Sequence, residues 1–456
     1  MSQKIIIPIF DGAISKNVLR TDIFPLLNEH FEVVLLVPKG KLTYYRKSFE
    51  KKAVTVESFV DLNPRNLRNE LVWNFVFLNS IYTNSTCIRT RAQFHKDGKL
   101  HLFIVKFTLR QLARFSLWKK MLRALYRLFS ARVYQHVFEN KHVVAVFAPN
   151  VTSVHDNLLL LEAQSRGVTT IAMTKSWDHL TSKGFIPVIP DRLLVQTEEM
   201  KREAISIACV PETRIVVVGT PQFDVYESRE TYVDKQAFLA SVGYTVRVPK
   251  HIILYCSVGH LFSPYDQVIV GRLAEWIESG IVSQDTVILA RLHPKYAHSE
   301  ESFSKSDYAH VYRPGIIVEP GKVASWEFEK PDIAILANSL KHSSVVICTG
   351  STMSVEASLF NRPTICIGFD GRTKYFESVR RFYDFEHYKP IVSSGAARLV
   401  NDFDELQKQL NAYLVDPSFD SGARVQLKKE NLAGHVGTSG TYIAHQIIQA
   451  ISDLHG

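Results

Sequence analysis

The sequence predicts an α/β protein built as two facing doubly wound domains with a cleft between them. Three observations carry this. Apolar runs short enough for buried strands, at Lys4–Phe10, His251–Cys256 and Val345–Cys348, each lead through a polar turn into a helix-forming stretch and on to a further strand. Strand and helix in alternation specify a parallel sheet covered on both faces. The chain has 456 residues, too many for one ordinary domain.

Composition narrows the class. With 46% hydrophobic and 22% charged residues the chain is globular, and its net charge of +9 points to an anionic partner without separating a nucleotide from a nucleic acid or a lipid surface. No nucleic-acid-binding motif accompanies the charge, so nucleic acid is not expected as a partner. The five cysteines are scattered and never paired as C-x-x-C, which indicates neither a disulfide framework nor a zinc site. The first apolar run passes straight into Asp11-Gly12, as a first strand does and a signal peptide does not, and no run is long enough to cross a bilayer. A cytoplasmic protein is expected.

Residues 1–226 are read as the first domain. Lys4–Phe10 is its first strand, a helix follows around Asn17–Leu27, and Glu32–Pro38 is the second strand. The loop after a first strand opens toward the ligand crevice in such folds, which makes Asp11 a candidate, although Asp-Gly is also ordinary turn chemistry. A basic amphipathic helical insertion is expected over about 107–140. Within it Phe115, Trp118, Leu122, Leu125 and Phe129 recur at steps of three and four, with Lys119, Lys120, Arg123 and Arg127 opposite. Two readings of that helix stand: peripheral docking on an anionic membrane, or packing on the sheet with a solvated basic outside.

Val143–Ala148, Asn157–Ser165 and Thr169–Met173 continue as strand, helix and strand. The next residues, KSWDHLTSKG from Lys175 to Gly184, form a polar loop at the carboxyl end of a predicted parallel strand, where open α/β sheets place ligands. Trp177, Asp178, His179 and Lys183 are its site candidates. Asp191–Gln196, a helix from Glu198 and Arg214–Val218 make one more strand-helix-strand, and GTPQFDVY, Gly219–Tyr226, closes the domain.

Residues 227–456 are read as the second domain, entered through a linker and helix over Glu227–Lys250. His251–Cys256, a helix over Tyr265–Ser279 and Thr286–Leu292 repeat the β-α-β pattern. The last strand ends in Arg291-Leu292-His293-Pro294-Lys295, where a histidine and two cations suit a diphosphate; His293 and Lys295 are the candidates. A helix over Asp332–His342 leads to the most informative run, VVICTGSTMSVEASLFNRPTICIGFDG from Val345 to Gly371.

That run is a strand, a tight turn at Thr349–Thr352, a helix at Ser354–Leu359 and a parallel strand at Thr364–Phe369. Its first helical amides and the positive end of the helix dipole face whatever lies beyond the strand, which favours an anion. Gly350 permits close backbone approach, the Ser351 and Thr352 hydroxyls add hydrogen bonds, and Glu356, about one turn further on, reaches a ribose diol. Chain reversal alone also accounts for a Gly-Ser turn. Asp370 lies at one more strand end. From Asp402 the chain is mostly helical, with a bend over Asn431–Gly440 that returns the last helices toward the first domain.

The run G-S-T-x-S-x-E-A, Gly350–Ala357, with Arg362-Pro363 after it, resembles the donor-site signature of GT-B glycosyltransferases. SWDHLTSKG, PDRLLVQTEEMK and V-x-G-T-P-Q-F-D together look like a group of bacterial surface-polysaccharide GT-B proteins. That group is similar to CDP-glycerol glycerophosphotransferases and to nonhydrolysing UDP-GlcNAc 2-epimerases. The resemblance implies a GT-B-like fold of two Rossmann-like domains, the first for the acceptor and the second for the nucleotide donor. It implies Gly350, Ser351 and Thr352 on the diphosphate, Glu356 on the ribose, and His293 in a shared H-P motif. In the glycerophosphotransferases a W-H-G motif carries the basic histidine; here Asp178 stands between Trp177 and His179, so Asp178 is the expected base, with His179 and Asp11 behind it. Trp177, Lys183 and Asp370 are expected on the acceptor side.

The implied activity is transfer of a sugar from a nucleotide-sugar donor to a bacterial cell-envelope or capsular glycan, free or lipid-linked, with no metal or cofactor. The alternatives are a polyol phosphate transferase, a nonhydrolysing epimerase and, from another class, a noncatalytic anion-binding or membrane-scaffold protein.

Overall fold

The computed structural model describes residues 3–82, 86–139, 142–296, 299–303, 306–319, 322, 325–432 and 434–455. The chain forms two compact units, Met1–Asp224 with Leu432–Gly456, and Val225–Asn431.

In the first unit β1 (Lys4–Pro8), β2 (Glu32–Val37), β3 (Val54–Ser58), β4 (Val143–Ala148), β5 (Thr169–Met173), β6 (Arg192–Val195) and β7 (Ile215–Val217) form one sheet in the order β3-β2-β1-β4-β5-β6-β7. Every neighbouring pair is parallel. Ile5 and Ile7 enter the core on one face of the sheet and Ile6 the core on the other, which is why these strands read as unbroken apolar runs. The chain fills one side of β1 with β2 and β3, then crosses back to β4. The strand order therefore reverses between β1 and β4, and the carboxyl ends there are where folds of this kind bind ligands.

Two elements differ from expectation. The helix predicted at Asn17–Leu27 is two helices, Gly12–Val18 and Ile23–His30. The first starts early because Asp11 caps it, accepting from the N–H groups of Ala13 and Ile14 at 3.1 Å each. It stops where Thr21 turns its hydroxyl back onto the Asn17 and Val18 carbonyls.

The helix Ser116–Phe129 also presents other faces than its pattern suggests. Leu122 and Tyr126 lie in the core with Trp118 packed against it. Lys119 is buried with Nζ on the Ile207 carbonyl at 2.8 Å, and Arg123 donates to the carbonyls of Ile186 and Ala208. Two of the four cations expected outside are thus turned into the protein. Leu117, Met121 and Leu128 remain exposed, by 75%, 41% and 72%. Asn140, the end of the expected insertion, lies outside the described residues.

The helix Ser439–His455 adds Ile443, Ala444, Ile447 and Ile451 to the core of the first unit that holds Ile5 and Ile7, packing on the helix Ile23–His30, β4 and β5. The GTPQFD turn anchors it. Asp224 accepts from the N–H groups of Ser439 at 3.1 Å and Gly440 at 2.7 Å. At Gly219, with φ +76°, a Cβ would sit 2.5 Å from the Ser439 hydroxyl, so only glycine fits.

The second unit holds β8 (His251–Cys256), β9 (Thr286–Arg291), β10 (Ala309–Tyr312), a short hairpin of β11 (Ile316–Ile317) and β12 (Trp326–Glu327), then β13 (Val345–Cys348), β14 (Thr364–Ile367) and β15 (Arg398–Val400). Its main sheet is parallel in the order β10-β9-β8-β13-β14-β15, and the order reverses between β8 and β13. Among the described residues no helix is long and apolar enough to cross a membrane.

Candidate functional site

At the carboxyl edge of the first sheet, loops after β1, β4 and β5 meet. The Lys175 ammonium pairs with the Asp11 carboxylate, and Asn17 donates to the Lys175 carbonyl at 3.1 Å. Burial opposes ionisation of Asp11, but Lys175 and the helix amides outweigh it and hold its carboxyl below the usual range.

His179 joins the loops after β4 and β5. Its Nδ1 accepts from the Lys175 N–H at 3.1 Å, which places the ring proton on Nε2, 2.8 Å from the Thr152 hydroxyl. Thr152 in turn lies 3.2 Å from Asn150 Oδ1, and the Asn150 N–H reaches Asp156 Oδ1 at 3.1 Å. Burial brings the His179 pKa down to about 3, so the ring is neutral, with both nitrogens engaged. Asp156 is fully buried, its Oδ2 has no hydrogen-bond partner among the described residues, and desolvation lifts its pKa to about 7.

Asp178 forms a second cluster with the hydroxyls of Ser176 and Ser182, the latter at 2.7 Å, and with the Lys183 ammonium at 3.4 Å. Trp177 beside it is half-buried. This carboxylate takes its orientation from its own loop, because both serines belong to it.

In the second unit, the turn after β13 precedes a short helix, Met353–Leu359. The neighbour that Gly350 admits is Phe382: at φ +48° a Cβ on Gly350 would meet the Phe382 Cβ at 2.7 Å. The Gly350 N–H donates to the Tyr383 hydroxyl at 3.2 Å, and the Ser351 hydroxyl accepts from Met353 N–H at 3.3 Å. The N–H groups of Ser351 and Thr352 have no protein acceptor among the described residues. Glu356 is buried one turn on and accepts from the Tyr226 hydroxyl.

After β9, His293 Nδ1 accepts from the N–H groups of Lys295 at 3.1 Å and Tyr296 at 3.0 Å, leaving the proton on Nε2. Burial, then the charges of Arg291 and Lys295, bring its pKa down to about 4. His293 is therefore a neutral donor at pH 7, and the positive charge at this edge belongs to Lys295 and Arg291. Arg291 is only 8% exposed, yet its guanidinium has neither a hydrogen-bond nor an ion-pair partner among the described residues. Its field acts on Tyr226, Cys256 and His293 together, and Cys256 also feels the charge of Glu356.

Asp370 lies elsewhere in its chemistry. It is buried, accepts from the N–H groups of Val379 at 3.0 Å and Arg372 at 3.3 Å, and so shapes the loop after β14.

No protein-family model and no curated protein matches the sequence. Solved structures do match the whole chain. MnaA from S. aureus, solved with UDP, is 11% identical and aligns over 99% of this chain and 97% of its own, with a TM-score of 0.54. A putative UDP-N-acetylglucosamine 2-epimerase from Listeria monocytogenes is 13% identical over 99% and 98%, at 0.53. The wall teichoic acid polymerase TagF is 12% identical over 98% and 89%, at 0.51. The fold is GT-B-like.

Within this fold both sheets gather their unusual polar groups at the carboxyl edge beside the reversal of strand order. Tyr226, Thr152 and Asp156 belong to those groups, and residue type alone did not single them out. The RLHPK run shows two cations but gives no sign that the buried one lacks a partner. Asn150 to Ser153 carries no motif, and only the sheet order, with β4 beside β1, brings it to this edge.

Proposed function

We propose that this chain is a GT-B-type transferase that moves a sugar from a nucleotide-sugar donor to a bacterial envelope or capsular glycan without a metal. The observation that carries the reading is the unmet demand for an anion at the carboxyl edge of the second sheet. There, among the described residues, the Ser351 and Thr352 amides lack acceptors and Arg291, 8% exposed, has no carboxylate partner. In this reading the diphosphate lies on those amides with His293 donating and Lys295 and Arg291 opposing its charge. Glu356 takes the ribose diol. Charge that develops on the departing nucleotide is stabilised by the same groups.

In the first unit Asp178 takes the acceptor proton, oriented by Ser176 and Ser182, while His179 and Asp11 hold the loops that carry it. Trp177 and Lys183 contact the acceptor, which is lipid-linked at the inner membrane face. The UDP in the MnaA structure supports a nucleoside diphosphate as ligand.

Calorimetry with UDP, CDP and their sugar conjugates tests the donor half. Binding that falls at least tenfold in Glu356→Ala is expected, and a chain that binds none of these nucleotides overturns the reading. The likeness to TagF gives a second reading, transfer of a polyol phosphate, which a CDP-polyol in the same assay separates. An epimerase would convert a UDP-sugar with no acceptor present.

A further inference from the structure

The first unit contains a cavity of about 750 Å³ at the end of the sheet away from the candidate site, where β5, β6 and β7 begin. Four arginines line it, Arg123, Arg127, Arg132 and Arg214, against one carboxylate, Asp191. That carboxylate is already engaged: its Oδ2 accepts from the Thr170 N–H at 3.0 Å and hydroxyl at 2.6 Å, and Arg214 stands 4.0 Å from Oδ1. The guanidinium groups otherwise meet neutral acceptors. Arg127 lies 3.5 Å from Gln164 Oε1, Arg132 donates to the Leu161 carbonyl at 3.0 Å, and Arg214 donates to the Pro190 carbonyl at 3.2 Å. Arg132 has one further anion within reach, Glu162 at 3.8 Å, which Arg166 already holds at 2.7 Å. Carbonyls satisfy hydrogen bonds without cancelling charge, so the cavity keeps an excess of positive charge and suits a multiply charged oxyanion.

The wall of the cavity says which oxyanion. Arg123 and Arg127 sit one turn apart on the helix Ser116–Phe129, and about a third of the way round it, past the exposed Lys120 and Ala124, runs a strip with the exposed Leu117, Met121 and Leu128. Cations and an apolar strip on one helix match an amphiphile, with a phosphate in the cavity and hydrocarbon along the strip. A water-soluble phosphate makes no use of the strip. We propose that the cavity binds the phosphate headgroup of a membrane lipid and fixes the protein at the bilayer surface. The inference deepens the membrane-facing part of the proposed function and stands apart from its sugar chemistry. β5 has five residues, and at roughly 3.3 Å per residue its two ends lie about 16 Å apart, so the bound lipid anchors the protein and does not react.

Cosedimentation of the full chain with vesicles tests this, using phosphatidylcholine alone and phosphatidylcholine with phosphatidylglycerol. Binding to the anionic vesicles alone is expected, reduced at least tenfold both in Arg127→Gln/Arg214→Gln and in Leu117→Ser/Leu128→Ser, with nucleotide binding unchanged in each. Arg127 is exposed, so Arg127→Glu supplies a variant that folds even if a double variant does not, and it is expected to lose binding too. Failure of the wild type to bind vesicles, or full binding by the arginine variants, overturns the proposal. Full vesicle binding by the leucine variants also overturns it and leaves a site for soluble phosphate, which inorganic phosphate would then occupy. Competition by an RNA homopolymer with no vesicle binding overturns it in favour of nucleic acid. Vesicle binding in a chain that binds no nucleotide sinks the transferase reading and leaves this one intact.

Discussion

The Tyr226 hydroxyl donates to Glu356 Oε2 inside the second unit, with both side chains buried. Desolvation, then the charge of Glu356, push the tyrosine pKa far above its ordinary value, so the hydroxyl stays a donor at every pH the fold survives. Tyr226→Phe leaves a buried carboxylate oxygen without that donor and should cost about 1–3 kcal/mol of stability. Urea unfolding measures it, and a variant as stable as the wild type would show that the bond stabilises nothing.

His155 and Asp156 are neighbours that respond to pH in opposite senses. Burial holds His155 down at about 4 against an ordinary 6.5, so between those values the unfolded chain binds the extra proton. Its contribution is complete above pH 6.5 and is lost as pH falls toward 4, by at most about 1.4 kcal/mol per pH unit. His155→Phe, which keeps the stack on Phe59, should be less sensitive to acid than the wild type.

Asp156, raised by burial to about 7 from 3.8, binds its proton more tightly when folded. Its contribution is complete below 3.8 and is lost as pH rises through 7. Asp156→Asn keeps an acceptor for Asn150 and should gain on the wild type as pH rises from 3.8 to about 7. Urea midpoints across that range check both variants, and parallel pH profiles would refute them.

Thr152→Val removes the acceptor of the His179 Nε2 proton and leaves a buried donor unmet, at about 1–3 kcal/mol. Turnover should fall while nucleotide affinity stays at the wild-type value, because His179 holds the Trp177 loop and touches no donor. Equal losses in turnover and affinity would assign it another role.

Asp224→Ala strips the Ser439 and Gly440 amides of their acceptor, and the cap should cost about 0.5–2 kcal/mol. Gly219→Ala adds a clash with Ser439 to a backbone strained at positive φ and should cost more. Limited proteolysis near residues 434–440 is the readout, with faster cleavage expected in both.

The strands were legible because parallel strands buried on both faces leave unbroken apolar runs, and Val345–Cys348 falls where its pattern places it. β3, with Thr55 exposed on an edge strand, breaks that rule and gave no such signal. The helix Ser116–Phe129 misled because its periodicity is real but does not say which strip faces the core; Lys119 is buried because the Ile207 carbonyl receives it, a contact across 88 positions of chain. The same limit hides Arg291, whose lack of a partner is a property of the folded surroundings alone.

The helix Ser439–His455 also has a consequence in time. It packs on β4, β5 and the helix Ile23–His30, yet about 200 residues separate it from Asp224. At roughly 5–20 residues per second on the ribosome, the surface under this helix waits on the order of 10–40 s for its cover during synthesis. Apolar surface exposed for that long is open to aggregation, so depleting cells of a holding chaperone is expected to lower the yield of this protein.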